Sequence, residues 1–178
     1  TGQRMCGIAG FTGIDQDLMG RMLDSIVHRG PDGFGIDVNE HFTLGMRRLA
    51  IVDIAGGNQP LYTEDHRLSL ICNGEIYNAP GLRLELERKG HRFSTDHSDT
   101  EVVLRGFEEW GQNVVDHLTG MFAFAVSDHE RGRLFLARDR LGIKPLYYAD
   151  DPSGFAFAPE LTALLQNARV PGRPALRA

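Results

Sequence analysis

Apolar positions along this chain follow two rhythms. Short runs bounded by turn residues predict buried strands over residues 7–12, 68–72, 121–127 and 134–137, with weaker candidates over 41–46 and 155–158. Between them the apolar spacing widens to three and four, which predicts amphipathic helices over 16–27, 78–89 and 99–110. In the second helix Leu82 and Leu86 stand one turn apart and Arg83, Glu87 and Arg88 are left for water. Asn78 is its expected cap, Pro80 lies in its first turn and Gly90 follows its end, an order that helices favour. In the third, Val103 and Phe107 repeat the spacing while Glu101, Arg105, Glu108 and Glu109 point elsewhere. Strands in hairpins with helices between them predict stacked antiparallel sheets covered by helices. From Asn167 onward the rhythm is lost and Pro171, Gly172 and Pro174 accumulate, the signature of a linker.

Composition narrows the function classes. The 178 residues suit one domain, and 42% hydrophobic with 24% charged residues is the balance of a globular protein with a packed core. A net charge of -5 without any basic stripe argues against a nucleic-acid partner. The longest apolar stretch, residues 121–126, is far short of a membrane span, and nothing resembles a secretory leader, so a cytoplasmic location without membrane contact is expected. Two cysteines, Cys6 and Cys72, are too few for a disulfide scaffold or a structural zinc site, and no metal is expected.

Four segments could carry chemistry. Cys6 leads the run CGIAG near the chain start. A nucleophilic cysteine needs a nearby base, and were Cys6 the first residue its own α-amine could take the thiol proton, directly or through a water. Arg47 and Arg48 lead into LAIVD; a guanidinium held beside a strand offers a planar fork to a carboxylate, although a solvated arginine pair reads equally well. In CNGEIYN a strand could deliver the Asn73 amide and the Gly74 N–H as a pair of oxyanion donors, with Glu75 beyond them for an ammonium; Asn-Gly is also a common hairpin turn. In SDTE, Ser98 or Asp99 can cap a helix, and the Asp99 carboxylate can also pair with an amine.

Taken in order, CGIAGF, HRGPDG, RLAIVD, QPL, NGEIYN, SDTE, GMFAFA, RDRLGIKPLYY and FAFAPE resemble the glutaminase domain of the class II, N-terminal-nucleophile glutamine amidotransferases. Within that group the chain is most similar to the glutamine-hydrolysing asparagine synthetases, and the likeness runs from Cys6 to about Leu165. The resemblance implies an α+β fold, a four-layer αββα sandwich of two antiparallel sheets between helix layers. It implies that Cys6 attacks the side-chain amide of L-glutamine to form a glutamyl thioester that water releases as glutamate. Asn73 and Gly74 would then hold the oxyanion, Arg48 the α-carboxylate, Glu75 and Asp99 the α-amine, and backbone groups at Ile51 and Val52 would help seat the substrate. His28, Arg29 and Asp32 match a loop lining the family's site and are expected as supporting residues, with a simple turn around Pro31 and Gly33 an equal reading. Residues 6–166 would form the glutaminase domain and 167–178 the start of a linker to an absent synthetase domain. That domain would hold ATP and Mg and accept the ammonia, so no cofactor is expected here; a homodimer is left open.

Two departures matter. Residues 1–5 precede the nucleophile, and Met5 reads as the initiator, which makes the first four residues an extension or a remnant. While they stay attached, the nitrogen of Cys6 is an amide that cannot take a proton. Pro159 stands where relatives often have Ser, at a helix entrance that tolerates proline. Two alternatives stay open, a glutaminase feeding amination of another carboxylate and a non-catalytic module; in the latter the thiol or the Asn would be expected to be replaced.

Overall fold

The computed structural model describes residues 5–49 and 58–172, which leaves Ile51 and Val52 outside the described residues. The strands are β1 (Gly7–Thr12), β2 (Gly33–Val38), β3 (Phe42–Arg48), β4 (Leu61–Tyr62), β5 (Leu68–Ile76), β6 (Gly120–Asp128), β7 (Arg133–Arg138), β8 (Tyr147–Asp151) and β9 (Gly154–Ala158). The α-helices are α1 (Gln16–Ser25), α2 (Ala79–Arg88), α3 (Asp99–Trp110), α4 (Val114–His117) and α5 (Leu161–Leu164). A five-stranded sheet, ordered β2-β3-β1-β9-β8, stacks on a four-stranded sheet, ordered β4-β5-β6-β7, and their strand pairs are antiparallel.

Strand parity builds the layers, because successive side chains leave opposite faces of a sheet. In β5 and β6, Leu68, Leu70, Cys72, Phe122, Phe124 and Val126 turn to one face and pack with Leu82 and Leu86 of α2 and Val102 and Val103 of α3. The intervening Ile71, Ala123 and Ala125 turn to the other face and meet Ile8, Leu44, Met46 and Phe157 of the facing sheet. On the far side of that sheet Ala9, Phe11, Ala156 and Ala158 pack against Met19, Met22 and Leu23 of α1 and Ala163 and Leu164 of α5. Three cores thus separate helices, sheet, sheet and helices, the expected αββα order.

A buried polar pin crosses between the sheets. Asp37 of β2, 6% exposed, accepts from the Ser69 hydroxyl on β5 at 2.6 Å and from the Tyr62 hydroxyl on β4 at 3.1 Å, with His129 Nε2 at 3.2 Å. Burial, joined by the charge of Asp37, pushes the Tyr62 hydroxyl above the usual tyrosine range, so it remains a donor.

Local sequence explains the element ends. Asp15 caps α1 by accepting from Leu18 N at 2.8 Å, and the helix stops at Ser25, two residues short of expectation, because Ile26 takes φ -117° and Arg29 N turns back to Ile26 O. Ser98 caps α3 by accepting from Glu101 N at 3.2 Å. Asn78 precedes α2 without capping it: its amide donates to His117 O at 2.8 Å and accepts from Thr119 N at 2.9 Å, tying α2 to the start of β6. At the other end, Gly90 N and His91 N reach back to Glu87 O and Leu86 O and close the helix.

Candidate active site

The site lies where β1, β3 and β5 approach one another. Ile8 faces the layer between the sheets, so parity turns Cys6 the same way, and its side chain packs against that core. The Cys6 thiol, half-buried, accepts from Leu49 N at 3.3 Å and lies 3.7 Å from Leu49 O, directly after β3. The same parity separates the two arginines at the end of β3. Phe42, Leu44 and Met46 face inward, and Arg48 shares their side. Arg47 turns outward, donates to Leu23 O at 3.0 Å and Asp24 Oδ1 at 2.6 Å, and lies over the Phe34 ring. Arg48 Nη1 donates to Asn58 Oδ1 at 3.1 Å.

Asn73 and Gly74 lie inside β5, not in a turn; the strand runs on to Ile76, with Gly74 opposite Phe122. Parity sends Asn73 and Glu75 to the face that Ile71 presents to the other sheet. Asn73 is 2% exposed and its Nδ2 has no hydrogen-bond partner. A buried amide donor left unpaired costs stability, and such a group in a native core calls for a structural or functional explanation.

The edge of β5 continues the same logic. Beyond the two-residue β4, Gln59 takes the place of a neighbouring strand: its Oε1 accepts from Cys72 N at 2.6 Å and its Nε2 donates to Cys72 O at 3.1 Å. In an antiparallel strand, backbone groups of alternate residues point to the same side. Cys72, Gly74 and Ile76 therefore direct their N–H groups to this edge. Gln59 takes the first and Asp99 Oδ2 takes the third, from Ile76 N at 2.8 Å, which leaves the Gly74 N–H between them facing the opening. A Cβ on Gly74 would come within 2.5 Å of Met121 O and 2.7 Å of Phe122 Cα, so the strands pair closely here only because the residue is glycine. Gly35 plays the same part opposite the Gln59 segment, where a Cβ would collide with Gln59 O.

Cys72 faces the helix layer. Burial, followed by the charges of Asp99 and Cys6, pushes its thiol well above the usual range, as befits an inert structural cysteine. Of the HRGPD residues, Arg29 reaches Cys6: it is 6% exposed and donates to Cys6 O from Nε at 3.4 Å and Nη2 at 3.3 Å. His28 contacts Glu160 Oε1 at 3.0 Å rather than the thiol, and Asp32 N donates to Arg48 O at 3.1 Å. The structure thus gathers Cys6, Arg29 and Arg48 at one wall, and Asn73, Gly74, Glu75 and Asp99 along β5.

Sequence reasoning assigned no part to Gln59, Glu160, Asp139 or Lys144, although each stands in a motif that carried the resemblance. Asp139 accepts from Phe122 N, Ile143 N and Lys144 N, folding the loop after β7 against β6. Burial pushes the Asp139 carboxyl up, but these N–H groups outweigh it and hold it below the usual range. Lys144, 7% exposed, sets its ammonium 3.5 Å from Met5 Sδ, just ahead of Cys6. Among the described residues no group of three or more His, Cys, Asp or Glu could hold a metal, and no helix is long and apolar enough to cross a membrane.

The glutamine amidotransferase domain family matches residues 5–176. The glutamine-hydrolysing asparagine synthetase 3 of Bacillus subtilis is 44% identical over 178 residues, covering 95% of this chain and 29% of that protein. Asparagine synthetase B of Escherichia coli, also glutamine-hydrolysing, is 40% identical over 173 residues, covering 93% of this chain and 31% of that protein. The chain therefore spans under a third of the length of these relatives. Among solved structures, the glutamine phosphoribosylpyrophosphate amidotransferase of B. subtilis superposes with a TM-score of 0.75 at 24% identity, over 89% of this chain and 43% of that one, which shows a shared fold.

Proposed function

The chain belongs to the glutamine amidotransferase domain family, and from that premise we propose that it hydrolyses the side-chain amide of L-glutamine to glutamate and ammonia. One observation carries the reading: an unpaired buried amide on Asn73 and an open Gly74 N–H stand next to each other on the strand whose face meets the Cys6 layer. Two preorganised donors at adjacent positions suit the oxyanion of a tetrahedral intermediate.

Mechanistically, the Cys6 sulfur attacks the amide carbon and the carbonyl oxygen takes up negative charge against Asn73 Nδ2 and Gly74 N–H. Collapse expels ammonia and leaves a thioester, which water opens. With Cys6 at the N-terminus its α-amine takes the thiol proton and passes it to the leaving nitrogen. Arg48 receives the α-carboxylate, and Asp99 with Glu75 the α-amine; Asp99 keeps one oxygen for Ile76 and has the other for the substrate. Ile51 and Val52 are assigned to seating the substrate through their backbone. His28, Arg29 and Asp32 support the wall.

Residues 6–166 are read as the glutaminase unit, 1–5 as an N-terminal extension or a remnant, and 167–178 as the approach to a synthetase domain. In the whole protein that domain would use ATP and Mg to aminate aspartate in the cytoplasm; the names and lengths of the relatives support this over another carboxylate. The test is ammonia release from glutamine by Arg48→Ala protein. The proposal expects the KM for glutamine to rise at least ~10-fold with a smaller change in kcat; unchanged kinetics would remove Arg48 from the site.

A further inference from the structure

Glu160 lies outside the set of residues that would meet glutamine, yet it is bonded to the wall that holds the nucleophile. It sits between β9 and α5, with a side chain that makes no cap bond to the helix behind it. Its Oε1 instead accepts from Arg29 Nη1 at 3.1 Å and lies 3.0 Å from His28 Nε2, while its Oε2 accepts from the Thr162 hydroxyl at 3.4 Å. The Arg29 side chain is only 7% exposed, and among the described residues Glu160 is its one ion-pair partner. With one Nη group held there, Arg29 turns its Nε and Nη2 as a fork onto the carbonyl oxygen of Cys6.

That carbonyl is a sensitive place to hold. From Gly7 onward the backbone is fixed by β1, whose Gly7 pairs with Arg47. For a chain that begins at Cys6, the peptide plane between Cys6 and Gly7 is what ties the residue to the strand, and the thiol and α-amine, both borne on the Cys6 Cα, are carried by it. We infer that Glu160 acts as a positioning residue which, by orienting Arg29 on the Cys6 carbonyl, anchors the peptide plane that carries Cys6 and so places its thiol and α-amine together against the Asn73 and Gly74 donors. The inference rests on the glutaminase reading. It adds a second tier to the site, in which a carboxylate outside the substrate-binding set holds the nucleophile and its base in place. Burial pushes the Glu160 carboxyl up, but the bonds from Arg29 and His28 outweigh it and keep it ionised.

The experiment uses the full-length protein with Cys6 at its N-terminus and compares wild type, Glu160→Ala and Glu160→Gln. Misaiming a catalytic group by about an ångström costs up to ~100-fold in rate, so Glu160→Ala is expected to lose at least ~10-fold in kcat for glutamine hydrolysis at an unchanged KM. Glu160→Gln keeps an acceptor for Arg29 and is expected to recover most of that loss. A purely structural role would instead lower the melting temperature of both variants while leaving kcat and KM at wild-type values, and would overturn the inference. So would a rise in KM at unchanged kcat. Wild-type protein that released no ammonia would sink the glutaminase reading, and this inference with it; active wild type beside an equally active Glu160→Ala sinks the inference alone.

Discussion

Asp99 Oδ2 accepts the backbone N–H of Ile76 at 2.8 Å, so the carboxylate proposed for the substrate's α-amine is fastened to the strand that carries Asn73 and Gly74. Ser98 takes over the capping of α3, which frees Asp99 from that task. Two neighbouring residues that read alike in sequence thus have different work, and they should separate by substitution. Ser98→Ala is expected to cost about 1 kcal/mol of stability and leave the KM for glutamine unchanged. Asp99→Asn still accepts from Ile76 but loses the charge that draws an ammonium, so its KM should rise ~10-fold or more at nearly unchanged stability. Steady-state kinetics and thermal unfolding of the pair read both effects.

Much of this was legible in the chain because one period governed it. β1 and α3 match their expected bounds, and β5, β6 and β7 appear as extended versions of the runs that announced them. The strands that escaped notice had their rhythm interrupted: β2 carries Gly33, Gly35 and the inward-facing Asp37, β4 is two residues long, and β8 is the exposed edge of its sheet. Parity also parts two adjacent arginines that read alike in sequence, placing Arg48 on the inward side of β3 and sending Arg47 to α1. Gln59 and Glu160 were hidden for a different reason. Their partners, Cys72 and Arg29, are distant in sequence, so no local pattern announces the contact.

An unpaired donor predicts a split between turnover and stability. Asn73 Nδ2 makes no bond in the ligand-free protein, so Asn73→Ala loses no hydrogen bond of that group on folding. Its melting temperature should stay within a few degrees, roughly the effect of a 1 kcal/mol change in a domain of this size. The kcat for glutamine hydrolysis should fall ~100-fold or more, the usual cost of an oxyanion donor. A large loss of stability with kcat intact would contradict the assignment.

Acid should loosen the α3 end of the site. Glu101 is 2% exposed and accepts from the backbone and hydroxyl groups of both Ser94 and Thr95. Burial pushes its carboxyl up, but these four donors outweigh it and hold it below the usual range, and Asp139 is held low in the same sense. A group whose folded-state pKa is depressed lends stability above its unfolded value and loses it as pH falls through the folded one. Stability should therefore be flat near neutrality and decline below about pH 4. Glu101→Gln should be less stable at pH 7 and show a shallower decline, measurable by denaturant unfolding across that range.

The central claim is that the Cys6 sulfur is a nucleophile served by the amine of its own residue, and one comparison tests it most directly. Protein beginning at Cys6 and protein retaining Met5 ahead of it are each exposed to glutamine and to an electrophile of glutamine's shape, with ammonia release and intact mass followed together. The account predicts that the trimmed protein releases ammonia and gains one covalent adduct at Cys6, and that the protein keeping Met5 shows turnover lower by ~100-fold or more. Equal turnover from both forms, or an adduct on any residue other than Cys6, would contradict it.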